Sequence, residues 1–372
     1  MPRLAVTPTR GCIQMLHAPR CVLFANAGYR QRVISANIRT LALTCQPTES
    51  AAYTDATGGV RGGVRGGGSE SAIESASYIE SASYSHLAHS ILLSLQPAHR
   101  DAELRRRLIH SPELHHLLAD LRQGGAIVLS AHLGVWELLP ALLFPELSAA
   151  SLAETRVVYR PLHNRMMDRW VLARRARAGA RFLPDKGSFG ELREALLRGG
   201  LVCLLSDMRP SSFHYQVSDE ACNEASNEKS HEANNEESHE ASNEDSSEEN
   251  LLLNPSRRSK QPARAPLLGR AALWDDGAGA LHSHTGAPVW FVALLLERHP
   301  QVNDCGGGSQ RGDFRFRLRI QRLVGRTEAP APAAATAAVV DAYAAAVDAA
   351  VRESPEQYFW WHRRWRDADE DG

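Results

Sequence analysis

The chain has 372 residues, 43% of them hydrophobic, enough to bury the core of one large domain or two small ones, which excludes a chain disordered throughout. Its net charge of −1 is a cancellation: residues 219–250 hold twelve Asp/Glu against the single Lys229, a sum of −11, which leaves +10, nearly all of it Arg, on the rest. That surplus suits an anionic partner carrying phosphate or carboxylate, while six scattered cysteines without CxxC spacing exclude a zinc ribbon or disulfide scaffold and fit a reducing compartment.

Five segments are expected along the chain. Residues 1–57 form a basic N-terminal segment; residues 1–48 carry six Arg and no Asp or Glu, a composition shared by organellar transit peptides and basic juxtamembrane segments. Residues 58–83, with the repeats GGVR and ESASY, read as a low-complexity, flexible insertion, and residues 218–262, with NEAS-like and SHEA-like repeats, as an acidic disordered one. Between and after them, 84–217 and 263–372 read as two parts of a folded core. No uninterrupted apolar run approaches the roughly 20 residues that cross a bilayer.

Within the core, SPELHHLLADLRQGG (111–125) predicts a short helix, with Ser111 as its cap, Leu114, Leu117, Leu118 and Leu121 on one face and a stop at Gly124. AIVLSA (126–131) predicts a buried strand and VWELLPALLF a helix after it. RVVYRP and GLVCLLSD predict two more buried strands, separated by helices over MDRWVLARRARAG and SFGELREALLRGG. PVWFVALLLE adds a strand. FRFRLRIQRL (314–323) alternates apolar residues with Arg, so it predicts a strand with one core face and one basic face that is either solvated or in contact with phosphate. This alternation of strand and helix predicts an α/β fold: a mixed sheet flanked by helices and interrupted by the low-complexity insertions.

The chemistry is expected in SAHLGVWELLP (130–140). On one continuous helix a separation of five would turn His132 and Glu137 about 140° apart. With His132 in a turn at the carboxyl end of a strand and Glu137 in the following helix, the two can converge where open α/β sheets place ligands. There the carboxylate can accept a hydrogen bond from one imidazole nitrogen and leave the other to take a proton from a hydroxyl. From the pair alone, a hydrogen-bonded structural histidine remains the other reading. No GxSxG elbow and no GxxxxGK[ST] loop occurs, which weighs against a serine hydrolase or an NTPase.

The order of the surrounding words adds a resemblance. GGAIVLSAHLGVWELLP, VVYRPLHN, RARAGARFLP, LREALLRGGLVCLLSDMRP, PLLGRAALWDDGAGALHSHTGAPVWFVALLLER and SPEQYFWWHRRWR together resemble the bacterial lipid A biosynthesis acyltransferases, the late lauroyl and myristoyl transferases, over roughly residues 84–366 outside the acidic insertion. RQRVISANIRTLAL (30–43) looks like the segment that follows that family's membrane anchor. The resemblance implies a glycerolphosphate-acyltransferase-like fold and transfer of a fatty acyl chain from an acyl carrier protein thioester to a hydroxyl of a Kdo-bearing lipid A precursor. It implies no cofactor, no metal and no nucleic acid. The H-x4-[DE] motif falls on His132 as base and Glu137 as the group steadying the imidazolium, with backbone amides near Gly134 or an arginine for the oxyanion. Substrate contacts fall on Arg160 (on a phosphate, bracing Glu137, or a plain surface arginine), Asp207 (at a sheet edge facing the pocket, or a turn residue), Arg177 with Arg174 and Gly179, and Arg298. Tyr358, Phe359, Trp360, Trp361, Trp365 and His362 are expected to pack a closing helix.

Three positions depart from the family's pattern, with Val135 in place of Asn, Met208 in place of Gln, and PLLG in place of P-F-F-G, and they leave the acceptor open. A sister acyltransferase working on a phospholipid, a mannoside or an ornithine-type lipid, and a catalytically silent lipid-binding relative, are the alternatives. The family works at the cytoplasmic face of the bacterial inner membrane, so a membrane surface is an expected partner, met through an anchor upstream or peripherally through basic and aromatic surface. A eukaryotic organelle is the other location.

Overall fold

The computed structural model describes residues 27–44, 70–161, 164–208, 263–298, 314–329, 334–362 and 364–365. Helices α1 (Ala27–Thr44), α2 (Glu70–Ser94) and α3 (Asp101–Arg106) lead into β1 (Leu108–Ile109), α4 (Glu113–Arg122) and β2 (Ala126–Ser130). Next come α5 (Leu139–Leu143), α6 (Ala149–Ala153), β3 (Arg156–Tyr159), α7 (Arg165–Arg175), β4 (Arg181–Pro184), α8 (Phe189–Leu197) and β5 (Leu201–Leu205). Beyond 209–262, β6 (Ala263–Leu267) and β7 (Arg270–Trp274) form an antiparallel hairpin, followed by α9 (Gly277–Thr285), β8 (Val289–Arg298), β9 (Phe314–Val324) and α10 (Ala334–Glu353). The acidic stretch 218–262 lies outside the described residues.

Seven strands make one sheet in the order β1-β9-β8-β2-β5-β3-β4, parallel except where β9 runs against β8. Strands from both sides of 209–262 therefore share it, and the fold is the mixed α/β sheet flanked by helices that the alternation of elements predicts. Central β2 is buried at every residue, which is why it reads as an unbroken apolar run. Successive side chains leave a strand on opposite faces. Ile127 and Leu129 accordingly join a cluster with α1, α8, α9 and α10, whereas Ala126 and Val128 join one with α4 and α5. On β9, Phe316, Leu318 and Ile320 are buried. Three of its four arginines are spent within the chain: Arg317 and Arg319 pair with Glu353, Arg317 also with Glu297, and Arg322 lies 2.7 Å from Asp120, while Arg315 is exposed.

Three elements differ from expectation. The stretch 58–83 is helical from Glu70 onward, as the first half of α2. Ala76, Ile79, Ser83, His86, Leu87 and Ser90 follow helical spacing along its inner side, and Ser35 of α1 donates to Glu80 at 2.9 Å. The stripe is built from small and polar residues, which the repeat disguises as low complexity. VWELLPALLF is broken into a 3₁₀ turn at Trp136–Leu138 and the five-residue α5. The closing aromatic word is an irregular strap, not a helix, entered through a 3₁₀ turn at Pro355–Gln357. Asn37 of α1 holds this strap by donating to the carbonyls of Trp360 and His362 at 2.9 and 2.8 Å. Tyr358, Trp360, Trp361 and Trp365 are buried beneath it, as packing residues. Among the described residues α10 alone is long and apolar enough to cross a membrane. It packs as a core helix, with Val339, Tyr343, Val347 and Val351 buried against the sheet.

Candidate active site

Parallel pairing sets Ser130 at the end of β2 beside Leu205 at the end of β5. Two residues further along each chain, His132 and Asp207 stand at the same level, beyond the carboxyl ends of the two central strands. Asp207 is fully buried and His132 22% exposed. One carboxylate oxygen accepts from His132 Nδ1 at 2.8 Å and the other from the His132 backbone N–H at 3.0 Å. The ring is thereby fixed as the tautomer protonated at Nδ1, with the Nε2 lone pair left without a hydrogen-bond partner among the described residues.

This overturns the expected hydrogen bond between His132 and Glu137, and the expected placing of Asp207 at a sheet edge against substrate. Asp207 is the residue that orients the imidazole. Burial by itself pushes the Asp207 carboxyl up, but the neighbouring charge of His132 and the bonds from His132 outweigh it and hold the group below the usual carboxylate range. Burial likewise pushes His132 down, and the adjacent carboxylates of Asp207 and Glu137 reverse this and leave it above the ordinary histidine value. Behind the pair, burial pushes His362 down to about 4 and raises Tyr358, so both neighbours of Asp207 are neutral near pH 7.

The loop after His132 is held from two sides. Phe359 donates its backbone N–H to the His132 carbonyl at 2.9 Å, and Leu133 bridges to Tyr358. Gly134, at φ +69, donates to the Gln357 carbonyl at 2.9 Å, and Val135 donates to the Leu294 carbonyl at 2.8 Å. Neither amide is left for an oxyanion, so the role expected for Gly134 falls away. Its purpose is steric, because a Cβ there would stand 2.0 Å from the Leu294 carbonyl oxygen. Gly134→Ala is expected to cost on the order of 3 kcal/mol, combining backbone strain with an overlap that no side chain can relieve. A lowered urea midpoint at unchanged slope checks this, and an unchanged midpoint would refute it.

Glu137 holds an arginine. Its two oxygens accept from Arg175 Nη2 at 2.5 Å and Nε at 3.1 Å, a bidentate contact. Arg175, the last residue of α7, is the cation close enough to His132 to oppose the rise in its pKa. Beyond this pair opens a cavity of about 650 Å³, lined by Leu87 and Ile91 of α2, Leu138 and Ala141, and Trp170 and Val171 of α7, with Trp136, Glu137 and Arg175 where it approaches the imidazole. The Trp136 and Phe359 rings flank His132 at 5.3 and 6.0 Å between centroids.

Of the other sequence-derived candidates, Arg177 and Arg174 line the cavity. Arg174 also donates to the Gln96 carbonyl, and Gly179 closes the turn after α7 at φ +82. Arg160 neither braces Glu137 nor faces the cavity. It pairs with Asp185 at 3.1 Å and is 59% exposed. Arg298 closes β8 opposite Phe314, and its side chain lies outside the described residues. Sequence reasoning missed Arg175, one arginine among several in LARRARAG, and took Phe359 only for packing. Among the described residues no group of three or more His, Cys, Asp or Glu is placed to hold a metal, and no Ser, Thr or Cys side chain hydrogen-bonds His132.

A histidine base beside an apolar cavity, with no Ser, Thr or Cys among the described residues bonded to it, fits direct transfer between two substrates, and the chain is an acyltransferase. Residues 86–215, which contain His132, Glu137, Arg175 and Asp207, match the family model described as bacterial lipid A biosynthesis acyltransferase. No curated protein matches the chain.

Proposed function

We propose that the protein transfers a fatty acyl chain from an acyl carrier protein thioester to a hydroxyl of a Kdo-bearing lipid A precursor, at the cytoplasmic face of a bacterial inner membrane and without a cofactor. The observation that carries this is the Asp207-oriented imidazole beside a largely apolar cavity, within the stretch that matches the family. In the reaction, His132 Nε2 takes the proton of the acceptor hydroxyl as its oxygen attacks the thioester carbonyl. The new C–O bond places negative charge on the carbonyl oxygen. Arg175, aimed by Glu137, is the cation for that charge. Collapse breaks the C–S bond, and the departing thiolate takes the proton back from His132. The acyl chain lies in the cavity, with Arg174 and Arg177 toward the anionic parts of donor or acceptor.

Mass spectrometry of the products formed from an acyl carrier protein thioester and a Kdo-bearing precursor tests this. One added acyl chain per acceptor, with one thiol released, is expected. Thiol release without acceptor acylation would reject the transfer reading, and acylation of a phospholipid in preference would move the acceptor. Replacing Glu137 with Gln removes the charge that aims Arg175, and is expected to lower kcat about tenfold with KM little changed, since the lost contact acts on the transition state.

A further inference from the structure

α7 carries an apolar stripe that faces outward. Met166 is 75% exposed and Trp170, one turn on, 47%. At 100° per residue Ala173 continues the stripe, and Arg177 ends it in the turn after the helix. Arg165 and Arg169 run along one flank. None of these three arginines is paired with a carboxylate among the described residues. Across the cavity, Leu92 near the end of α2 and Leu95 just after it are exposed, 38% and 48%. The two helices are neighbours: Leu95, Trp170, Arg174 and Arg177 line the same cavity, and Arg174 reaches from α7 to the Gln96 carbonyl just after α2. Because Leu95, Trp170 and Arg177 are both exposed and on the cavity wall, they mark its opening.

An opening rimmed by Trp, Met and Leu with unpaired arginines beside them is costly in plain water. It is matched by a phase that offers hydrocarbon below and phosphate above, where Trp sits at the boundary and Arg reaches the headgroups. We propose that the Met166/Trp170 stripe of α7, Leu92 of α2 and Leu95 just after it seat the open end of the cavity on a bilayer containing anionic phospholipid, with Arg165 and Arg169 on its phosphates. The purpose of this docking rests on the acyl-transfer reading, since it brings a lipid-borne acceptor to the cavity without crossing water. The surface itself rests on exposure and charge alone.

The test uses the full chain and vesicles of phosphatidylcholine with or without phosphatidylglycerol, some brominated along their acyl chains. The Trp170 signal is the difference between wild type and Trp170→Phe, and it is expected to be quenched by bromolipid only when phosphatidylglycerol is present. Met166→Asp combined with Leu92→Asp is expected to abolish that quenching and weaken vesicle binding about tenfold or more. Arg165→Glu with Arg169→Glu is expected to remove the preference for anionic vesicles, as high salt does for wild type. Trp170 left unquenched, or quenching undiminished in the Met166/Leu92 variant, would overturn the proposal even if other segments hold the chain on the vesicle. Turnover of a detergent-dispersed acceptor is followed in parallel and is expected to be unchanged in both variants. Its loss together with vesicle binding would mean a disturbed site rather than a lost docking surface, and would also overturn it. Quenching that persists in a wild-type protein without turnover would count against acyl transfer and leave the docking surface standing.

Discussion

His132→Ala is expected to lower kcat/KM for acyl transfer by about 10²- to 10⁴-fold, the usual contribution of a positioned general base. Among the described residues no second base is placed to substitute. Glu137 is engaged by Arg175 through both oxygens, and Asp207 is fully buried. Alanine also strips the Asp207 carboxylate of its imidazole partner, and a buried acceptor left short of a donor costs about 1–3 kcal/mol, more for a charge. His132→Asn separates the two effects, because its amide nitrogen stands near the place of Nδ1 and can still donate to Asp207 while being no base. Both variants are expected to be equally inactive, with only the alanine variant losing several degrees of thermal stability. Appreciable turnover in a well-folded His132→Asn protein would show that the proton leaves by another route.

Much of the sheet was legible because its central strands are buried on both faces. AIVLS, LVCLL and VWFVALLL are near-continuous apolar runs, which only an interior parallel or mixed sheet accommodates. β9 was legible for the opposite reason, its strict alternation, since one of its faces meets solvent and ion pairs. Helix α2 was not, because its buried stripe uses Ala, Ser and His where a periodicity search needs Leu or Ile, so close approach to α1 rather than hydrophobic area defines it. The site divides the same way. That His132 ends a strand could be read locally, but its orienting partner lies 75 residues away and is fixed by the register of β2 on β5, which no local pattern encodes. Glu137, the nearer acid in sequence, was therefore credited with the contact that Asp207 makes. Gly134 shows a similar limit: a glycine beside a histidine suggests a donor loop, whereas the approach of the Leu294 carbonyl that demands glycine comes from β8, far along the chain.

Asp207→Asn is the variant that distinguishes an oriented base from a merely adjacent one. Asparagine keeps the volume but can present an N–H to Nδ1, which favours the tautomer with its proton on Nε2, the nitrogen that has to accept. A loss of about 10²- to 10⁴-fold in kcat/KM is expected, as when the carboxylate behind a catalytic imidazole is neutralised elsewhere. The pH profile carries the independent sign. His132 acts as a base only when neutral, so activity rises with pH through its pKa, which Asp207 and Glu137 hold above the ordinary histidine value against the downward pull of burial. Removing the Asp207 charge leaves burial and Arg175 pulling the pKa down with only Glu137 opposing them. The acid limb of kcat/KM is then expected to move to lower pH as the plateau falls. The Glu137→Gln variant loses a smaller upward influence on the same ring and is expected to move the limb less, in the same direction. A plateau that fell with no movement of the acid limb would place Asp207 among the packing residues and return the orienting role to a group yet to be found.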